Sequence, residues 1–247
     1  MNLIILAAGK GTRLLPLTKN TPKSLIDLGD GTTLLERQIN NAVACNAIDK
    51  VYVVTGYRSA QIEARIEQLS ADIPVEIVYN PFFDISNNLL SLWCANYIMD
   101  GKDFIITNGD NIYKTGIYDQ ISAGIAETIQ LTIDYKDHYD DDDMKVQLQS
   151  GQVQRVSKQI EIEAAEAESV GLVMILGEQK RALFRRKLLE MVQDLENRNR
   201  FWLEIFNALV ADGEGIDICE IDPDDWDEID FHPDVESVRS AVFKKTF

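Results

Sequence analysis

The residues from Leu6 to Thr18 read LAAGKGTRLLPLT and directly follow an apolar run that starts at Asn2. An apolar run that ends in closely spaced glycines is typical of a buried first strand followed by a loop. Because the residues at positions 7–9 and 11 are small, backbone N–H groups can approach an anion without obstruction by a side chain. The stretch therefore predicts an α/β fold that begins with a strand and a phosphate-binding loop.

Strand and helix signals alternate outward from this loop through the first half of the chain. Thr33 to Glu36 matches a helix capping box, and the apolar positions that follow it have helical spacing. Alternation of strands with helices predicts parallel βαβ units with right-handed crossovers. In this half we predict strands at 50–55, 75–79 and 103–107, a helix that starts at 34, and helices at 60–69 and 89–99.

The pattern changes near residue 129, where short strands and turn residues take over. Ser150-Gly151 separates two strand-like segments and suits a hairpin turn. The expected architecture is a Rossmann-like α/β fold with a mostly parallel central sheet flanked by helices and a small antiparallel portion. Neither a flexible linker nor a repeat interrupts residues 1–247, which we interpret as a single domain. In this half we predict strands at 130–135, 144–149, 152–156 and 216–221 and helices at 179–195, 201–210 and 234–243.

The chain has 247 residues, of which 41 are acidic and 24 basic, and its formal net charge is −17. This charge, without a Lys/Arg cluster, argues against nucleic-acid binding, since a polyanion would be repelled. The longest apolar run, Leu3 to Ala8, is too short for a membrane span and does not resemble a signal peptide. Three scattered cysteines indicate reduced thiols, so we expect a cytoplasmic protein without membrane insertion. The acidic runs at 140–143 and 214–234 are interpreted as solvated surface.

Two basic residues and one acidic residue follow predicted strands in the sequence. Arg13 and Lys23 supply positive charge for a phosphate group, and Asp110 ends the segment FIITNGD that starts at Phe104. An aspartate at the carboxyl end of a parallel strand projects into the crevice where open α/β sheets bind ligands, although an Asx turn also explains it. The loop lacks the Gly-Lys-Ser/Thr ending of a Walker A motif, and Leu14 stands where a Rossmann motif needs glycine.

The whole string from Leu6 to Thr18, followed by Pro22-Lys23, resembles the signature of the sugar-nucleotidyltransferase family, L-A-A-G-x-G-T-R-L-x-P-x-T and then P-K. The resemblance implies an α/β nucleotide-binding domain of the nucleotide-diphospho-sugar transferase type. It also implies Mg²⁺-dependent transfer of a nucleotidyl group from an NTP to a phosphorylated acceptor, with release of pyrophosphate. Catalytic charge stabilisation is assigned in this way to Arg13, Lys23 and Lys158. The nucleotide-binding residues that the resemblance implies are Leu6, Ala7, Ala8, Gly9, Gly11, Thr12, Arg13, Lys23, Gly56 and Asp110.

A second acidic motif, WDEID, ends at Asp230 and is similar to the W-x-E-I-D element of the family. The resemblance implies that Asp110 and Asp230 bind Mg²⁺. A hard cation held by one or two carboxylates, phosphate oxygens and water is what such a site requires. Asp227 and Glu228 remain alternatives to Asp230, and an acidic turn that caps the last helix explains the motif without a metal. Residues 231–232 depart from the T-P that follows this element in the family.

Further residues resemble the acceptor site of the family. Lys158 follows the predicted hairpin and is similar to a lysine that meets the acceptor phosphate, with an isolated surface lysine as the alternative. Lys145 is a weaker candidate of the same kind. Gly171 falls where the family has a glycine near the acceptor, and a strand bulge is the alternative there.

The pattern N-N-x-x-S-L, formed by Asn87, Asn88 and Ser91, narrows the acceptor class. It resembles the phosphocholine cytidylyltransferase branch, which favours CTP, whereas sugar-specific members carry a glycine-rich stretch here. Asn88 also suits the N-cap of the following helix, so a structural role stays open. A choline head group requires aromatic faces and carboxylates, although the segment FWLEIF has the spacing of core residues. The candidates for the head group are Trp202, Glu204, Phe206 and Tyr113.

The sequence therefore predicts a cytidylyltransferase that uses CTP to join CMP to a small phosphorylated or phosphonate metabolite similar to phosphocholine. Residues 1–128 are expected to form mainly the nucleotide-binding half, and residues 129–247 mainly the acceptor-site half. The expected partners are CTP, or another NTP, and the small metabolite, and a homo-oligomer is compatible with them. The alternatives are a sugar-1-phosphate nucleotidyltransferase that uses UTP or dTTP, and a non-catalytic regulatory subunit with the same fold.

Overall fold

The computed structural model describes residues 1–69, 71–124 and 127–243, which form one large mixed sheet with helices on both faces. The strands are β1 (Asn2–Ala7), β2 (Lys50–Thr55), β3 (Val75–Tyr79), β4 (Phe104–Asn108), β5 (Asn111–Tyr113), β6 (Thr128–Asp134), β7 (Lys145–Gln149), β8 (Gln152–Ser157), β9 (Ala167–Leu176), β10 (Asp217–Glu220) and β11 (Trp226–Glu228). The helices are α1 (Leu34–Ala44), α2 (Ser59–Gln68), α3 (Asn88–Cys94), α4 (Ile117–Ser122), α5 (Glu178–Gln193), α6 (Ile205–Ala211) and α7 (His232–Phe243).

The first half of the chain builds four parallel strands of the sheet, in the order β3-β2-β1-β4, and β6 and β10 form a further parallel pair. Every residue of β1 is buried, because the strand has a neighbour on each side and helices on both faces. The predicted capping box is confirmed at the start of α1: the Thr33 hydroxyl accepts from the Glu36 N–H, and the Glu36 carboxylate accepts from the Thr33 N–H at 2.7 Å. The predicted α/β fold class is confirmed.

The central strand β9 is missing from the sequence prediction. It pairs antiparallel with β4 on one side and with β6 on the other, so it joins the two halves of the chain within one sheet. All ten residues of β9 are buried, so the apolar–polar alternation that marks a strand with one solvated face is absent. Beyond β6, the sheet continues through β10, β8 and β7, and the Ser150-Gly151 hairpin between β7 and β8 is confirmed, with positive φ at both residues.

Two predicted helices are shorter than expected, since each contains a tighter 3₁₀ turn. The helix predicted at 89–99 ends at Cys94, and a 3₁₀ segment continues over Asn96–Asp100. The Asn96 side chain donates to the Trp93 carbonyl at 2.7 Å, which takes up one of the carbonyls freed at the helix end. The helix predicted at 201–210 begins as the 3₁₀ turn Trp202–Glu204 before α6.

The apolar core lies in two layers, one on each face of the sheet, with a third cluster beneath α7. That third cluster packs Val235 and Val238 of α7 against Leu14, which follows β1, and Ile112 of β5. In this way the terminal helix is held beside the first loop. No helix among the described residues combines the length and the apolar character that a membrane crossing requires.

Candidate active site

A cavity of about 360 Å³ opens at the carboxyl ends of β1 and β4, beside the first loop. In an open α/β sheet this is the edge where ligands bind. Most of the residues predicted for the site line the cavity, although they come from segments far apart in the sequence. They are Leu6, Ala7, Ala8, Gly9, Gly11, Thr12, Arg13, Lys23, Asn87, Asn88, Ser91, Asp110, Lys158, Gly171 and Asp230.

The first loop is shaped by Gly11, which has a φ of 61° in the left-handed region that favours glycine. A Cβ at this position would approach the Lys23 Cβ to 3.1 Å, so glycine also lets Lys23 pack closely against the loop. The Thr18 hydroxyl donates to the Gly11 carbonyl at 2.7 Å and closes the loop. Gly11 is followed by the 3₁₀ turn Thr12–Leu14, in which the buried Leu14 anchors the chain and Arg13 projects towards the cavity.

The Lys23 ammonium lies between the two carboxylates that the sequence predicts as metal ligands. Its Nζ is 2.9 Å from Asp110 Oδ2 and also donates to Asp230 Oδ1. Although burial opposes its charged form, the Asp110 and Asp230 carboxylates raise the pKa of Lys23 above its ordinary value. The backbone holds the pair together, because the Ile229 N–H donates to the Asp110 carbonyl at 3.0 Å. Lys23 is therefore a cation already bound where two carboxylates converge.

Arg13 and Lys158 are connected through a carboxylate that the sequence analysis does not single out, Asp142. The Arg13 Nη1 is 2.6 Å from Asp230 Oδ2 and 2.6 Å from Asp142 Oδ2, while the Lys158 Nζ is 2.9 Å from Asp142 Oδ1. Burial opposes its ionisation, but Lys158 and Arg13 hold the pKa of Asp142 below its ordinary value. The Arg13 guanidinium also lies 5.3 Å from the centre of the Phe231 ring. Phe231, which departs from the family pattern, thus supports Arg13.

Asp110 and Asp230 fit a divalent cation by their chemistry. They are hard oxygen donors, and both are within hydrogen-bonding distance of one Nζ atom, which shows that a single cation can contact them together. Phosphate oxygens and water would complete such a site, since no group of three potential His, Cys, Asp or Glu ligands is found in the described part of the chain.

Two glutamates also line the cavity, and burial affects both. Burial, together with the Asp110 and Asp230 charges, raises the pKa of Glu228 to about 8. Burial likewise raises the pKa of Glu168, and the Lys136 ammonium that is paired with it counteracts this effect. The cavity therefore contains two further carboxyl groups besides the predicted ligands, and burial disfavours the charged form of both.

The side chains of the N-N-x-x-S pattern line the cavity and also take part in structural hydrogen bonds. Asn87, and not Asn88, is the N-cap of α3, and its Oδ1 accepts from the Asn88 N–H at 2.7 Å. The Asn88 Oδ1 accepts from the Trp202 backbone N–H at 2.8 Å, and the Ser91 hydroxyl accepts from Asn80 at 3.0 Å. These bonds supply a structural reason for the pattern, and the acceptor role stays a prediction.

The structure does not bring Gly56, Lys145 and Glu204 to the cavity. Gly56 lies under the first loop, where a Cβ would come within 2.9 Å of the Ala8 carbonyl. Lys145 is buried, and its ammonium donates to the Asp140 and Asp141 carbonyls at 2.9 and 3.2 Å. The Glu204 carboxylate accepts from the Phe201 N–H and pairs with Arg200, so it closes the turn before α6.

Of the aromatic residues predicted to bind a choline head group, one lines the cavity and two do not. Trp202 lines the cavity, yet it is completely buried, and its indole N–H donates to Asn108 Oδ1 at 2.8 Å. Phe206 and Tyr113 belong to the core. Gly171 lines the cavity within a register irregularity between β6 and β9, and a Cβ there would overlap the Asn108 amide. The strand irregularity expected at Gly171 is thus present, and its role near the acceptor stays a prediction.

Sequence reasoning missed Asp142, Glu168 and Asn108, all of which line the cavity. Asp142 belongs to a run of four aspartates that was interpreted as solvated, and the sequence does not distinguish the one that faces inwards. Asn108 lies two residues before Asp110 in N-G-D, and this position at the end of a strand is the signal that could have found it.

A family model described as nucleotidyl transferase matches residues 2–145. This match covers more than half of the chain, and the protein therefore belongs to the nucleotidyl transferase family.

Two curated relatives indicate the range of the family. A 2-aminoethylphosphonate cytidylyltransferase from Lancefieldella rimae is 39% identical over 105 residues, which are 42% of this chain and 41% of that protein. The UTP–glucose-1-phosphate uridylyltransferase AglF from Haloferax volcanii is 30% identical over 122 residues, which are 49% of this chain and 48% of that protein. The chain thus matches less than half the length of these relatives.

The fold is similar to that of a solved CTP:phosphocholine cytidylyltransferase from Streptococcus pneumoniae, LicC. The TM-score is 0.78, with 20% sequence identity and coverage of 98% of both chains. At this identity, the likeness establishes the shared nucleotide-diphospho-sugar transferase fold.

Proposed function

We propose that the protein is a nucleotidyltransferase that joins CMP, taken from CTP, to a small phosphorylated or phosphonate metabolite similar to phosphocholine. The observation that carries this proposal is the convergence of Arg13 and Lys23 with Asp110 and Asp230 beneath the glycine loop. Cations for a triphosphate and carboxylates for a metal are the two requirements of nucleotidyl transfer.

In the proposed reaction, an oxygen of the acceptor phosphate attacks the α-phosphorus of the NTP. A new P–O bond forms, the bond from the α-phosphorus to the bridging oxygen breaks, and pyrophosphate leaves with the electron pair. The attacking oxygen is already ionised near neutral pH, so no side chain has to remove a proton. Catalysis then depends on positioning and on neutralisation of charge.

The residues of this chain divide these tasks by location. Arg13 and the first loop would hold the triphosphate, Lys23 would neutralise charge on the transferring group, and Lys158 would hold the acceptor phosphate. All three cations are paired with carboxylates in the structure, and incoming phosphates would exchange with those carboxylates. Because two anions must meet, loss of one of these cations is expected to reduce the rate by about 10²-fold or more.

Asp110 and Asp230 would hold Mg²⁺ in the proposed enzyme. When bound, this ion would neutralise phosphate charge and help to align the reacting groups. The carboxylates would become available once Lys23 and Arg13 turned towards phosphate, since Lys23 contacts both carboxylates and Arg13 contacts Asp230.

An aminoalkyl acceptor is favoured over a sugar phosphate by the composition of the cavity wall. Asn87, Asn88 and Ser91 line the side where α3 begins, and Asp142, whose pKa is held below its ordinary value, adds negative charge. A cationic head group complements this charge, whereas a neutral hexose does not. The relative that acts on 2-aminoethylphosphonate supports the same class, and the relative that acts on glucose 1-phosphate makes a sugar acceptor the alternative to test.

The test is pyrophosphate release with CTP, UTP, dTTP and ATP, each combined with phosphocholine, 2-aminoethylphosphonate, inositol 1-phosphate and glucose 1-phosphate. We expect CTP with an aminoalkyl acceptor to give the highest kcat/KM. The proposal fails if glucose 1-phosphate with UTP or dTTP is better by about tenfold, or roughly 1.4 kcal/mol of transition-state preference. No turnover with any pair would favour the non-catalytic subunit.

Asn87→Ala and Asn88→Ala extend this test to the acceptor side. An increase in acceptor KM beyond that in nucleotide KM would support contact with the acceptor, because each amide both donates and accepts hydrogen bonds. If the acceptor KM does not change in either variant, the two asparagines act only through the bonds that they make to α3 and Trp202.

A further inference from the structure

Asp142 lines the cavity and is paired there with two cations, unlike an aspartate on an open surface. Its Oδ2 accepts from Arg13 at 2.6 Å, and its Oδ1 accepts from Lys158 at 2.9 Å and from Arg13 at 3.2 Å. These cations are the ones assigned above to the triphosphate and to the acceptor phosphate. The Asp142 carboxylate therefore lies where the two substrates would meet.

The loop that carries Asp142 is held by hydrogen bonds from a buried lysine and within the loop itself. The buried Lys145 ammonium donates to the carbonyls of Asp140 and Asp141, and the Asp140 N–H donates to Asp143 Oδ2 at 2.8 Å. Asp143 is also paired with Lys136 at 3.5 Å. The three neighbouring aspartates thus shape the loop or face solvent, while Asp142 alone of the four lines the cavity.

Each aromatic ring that lines this cavity is engaged by a neighbouring group in the structure. Trp202 is completely buried, and the Phe201 ring is covered by the Lys158 ammonium at 5.4 Å from its centre. Phe83 packs against Gly56, on the side formed by the first loop. Trimethylammonium groups are recognised by open aromatic faces, whereas primary ammonium groups are recognised by carboxylates that accept their N–H bonds.

We propose that Asp142 determines acceptor specificity by binding a primary ammonium group, so that the preferred acceptors are aminoalkyl phosphates or phosphonates with a free amine. This inference rests on the proposed function. Such an acceptor carries both charges of the Lys158–Asp142 pair: its phosphate replaces Asp142 at Lys158, and its ammonium replaces Lys158 at Asp142. No carboxylate or cation is left without a partner.

Other acceptors do not satisfy this exchange. A neutral acceptor draws Lys158 away from Asp142 and supplies no cation in its place, which is unfavourable beside the incoming phosphates. A trimethylammonium group restores the charge, yet it has no N–H to donate. Preference should therefore fall from the primary amine to the quaternary amine and then to the uncharged chain.

The experiment compares three acceptors with CTP: phosphoethanolamine, phosphocholine and propyl phosphate, in which a methyl group replaces the ammonium. The proteins are the wild type, Asp142→Asn and the control Asp141→Asn, which removes an equal charge from an exposed neighbour. In the wild type we expect phosphoethanolamine to exceed phosphocholine in kcat/KM. In Asp142→Asn the ratio of phosphoethanolamine to propyl phosphate should fall about tenfold or more, whereas Asp141→Asn should leave it within about twofold.

The outcomes separate this inference from the proposed function. Phosphocholine equal to or better than phosphoethanolamine, or an unchanged ratio in Asp142→Asn, would overturn the role of Asp142 while cytidylyl transfer to aminoalkyl acceptors stands. Turnover of glucose 1-phosphate alone, in the acceptor panel that tests the proposed function, would overturn both. Melting curves show whether Asp142→Asn is folded, and Asp142→Ser is a second variant with the same expected change in ratio.

Discussion

Replacement of Lys23 by methionine tests the arrangement on which the site depends. Methionine has a similar length but no charge, so the Asp110 and Asp230 carboxylates would face each other without the ammonium that they share. We expect the variant to lose activity by about 10²-fold or more. We also expect it to be less stable without metal and to regain stability when Mg²⁺ is added.

The magnitude follows from the surroundings of the pair. Removal of one partner from a buried ion pair costs about 3–5 kcal/mol. The side chains of Asp110 and Asp230 are 31% and 17% exposed, so solvent screens part of the repulsion. Asp230 also keeps Arg13 at 2.6 Å. A loss of about 2 kcal/mol remains, which corresponds to a decrease in Tm of about 4–8 °C for a chain of this size.

Thermal melts of the wild type and Lys23→Met, in EDTA and with increasing Mg²⁺, measure this effect. Lys10→Met is the matched control, because Lys10 is in the same loop and pairs with the exposed Asp84, so its loss should change Tm little. Saturating Mg²⁺ should raise the Tm of Lys23→Met more than that of the wild type, since the carboxylates are free to bind it. An equal Tm for Lys23→Met and wild type in EDTA, or equal stabilisation by Mg²⁺, would refute the reasoning.

Three further predictions concern single side chains of the cavity. Asp110→Ala should lower kcat by about 10²-fold or more because it removes a metal ligand, and a wild type equally active in EDTA and Mg²⁺ would contradict this. Arg13→Ala should reduce initial rates strongly while Tm changes by only a few degrees, because its side chain is 43% exposed; collapse of the fold with intact specific activity would show the reverse. Burial and the Asp110 and Asp230 charges raise the pKa of Glu228 from 4.5 to about 8, so the unfolded chain ionises first and wild-type stability should fall as pH rises between those values. Glu228→Gln lacks this group, and melts in EDTA should show its Tm advantage over the wild type growing from about pH 5 to about pH 8; a constant difference would mean that the carboxyl titrates normally.

The parallel half of the fold was predictable because local signals there agree with the tertiary structure. β2 and β3 have the predicted bounds, and the α1 capping box forms as its sequence indicates. β9 was not predicted, since a continuous apolar run does not by itself distinguish a strand from a buried helix and Gly171 interrupts the run. The early end of α3 depends on the Asn96 side chain, which bonds to the Trp93 carbonyl and competes with the helix.

The site was predictable where a motif places a residue at a strand end or in a loop. Arg13, Lys23, Asp110 and Asp230 come together although they are far apart in the sequence. Lys145 does not line the cavity, and the sequence does not distinguish a lysine that holds a loop through carbonyls from one that binds phosphate. The inward orientation of Asp142 depends on that loop, which no local pattern describes.

The position of β9 also has a consequence for the order in which the chain folds during synthesis. β4 emerges from the ribosome with β1 as one neighbour, but its other neighbour, β9, begins only at residue 167. Until then, β4 presents an apolar edge with unpaired N–H and C=O groups, a surface prone to pairing with other chains. A nascent chain stopped before β9 should therefore bind chaperones or aggregate. Once synthesis continues and β9 has left the ribosome, the chain should become resistant to protease in a single step.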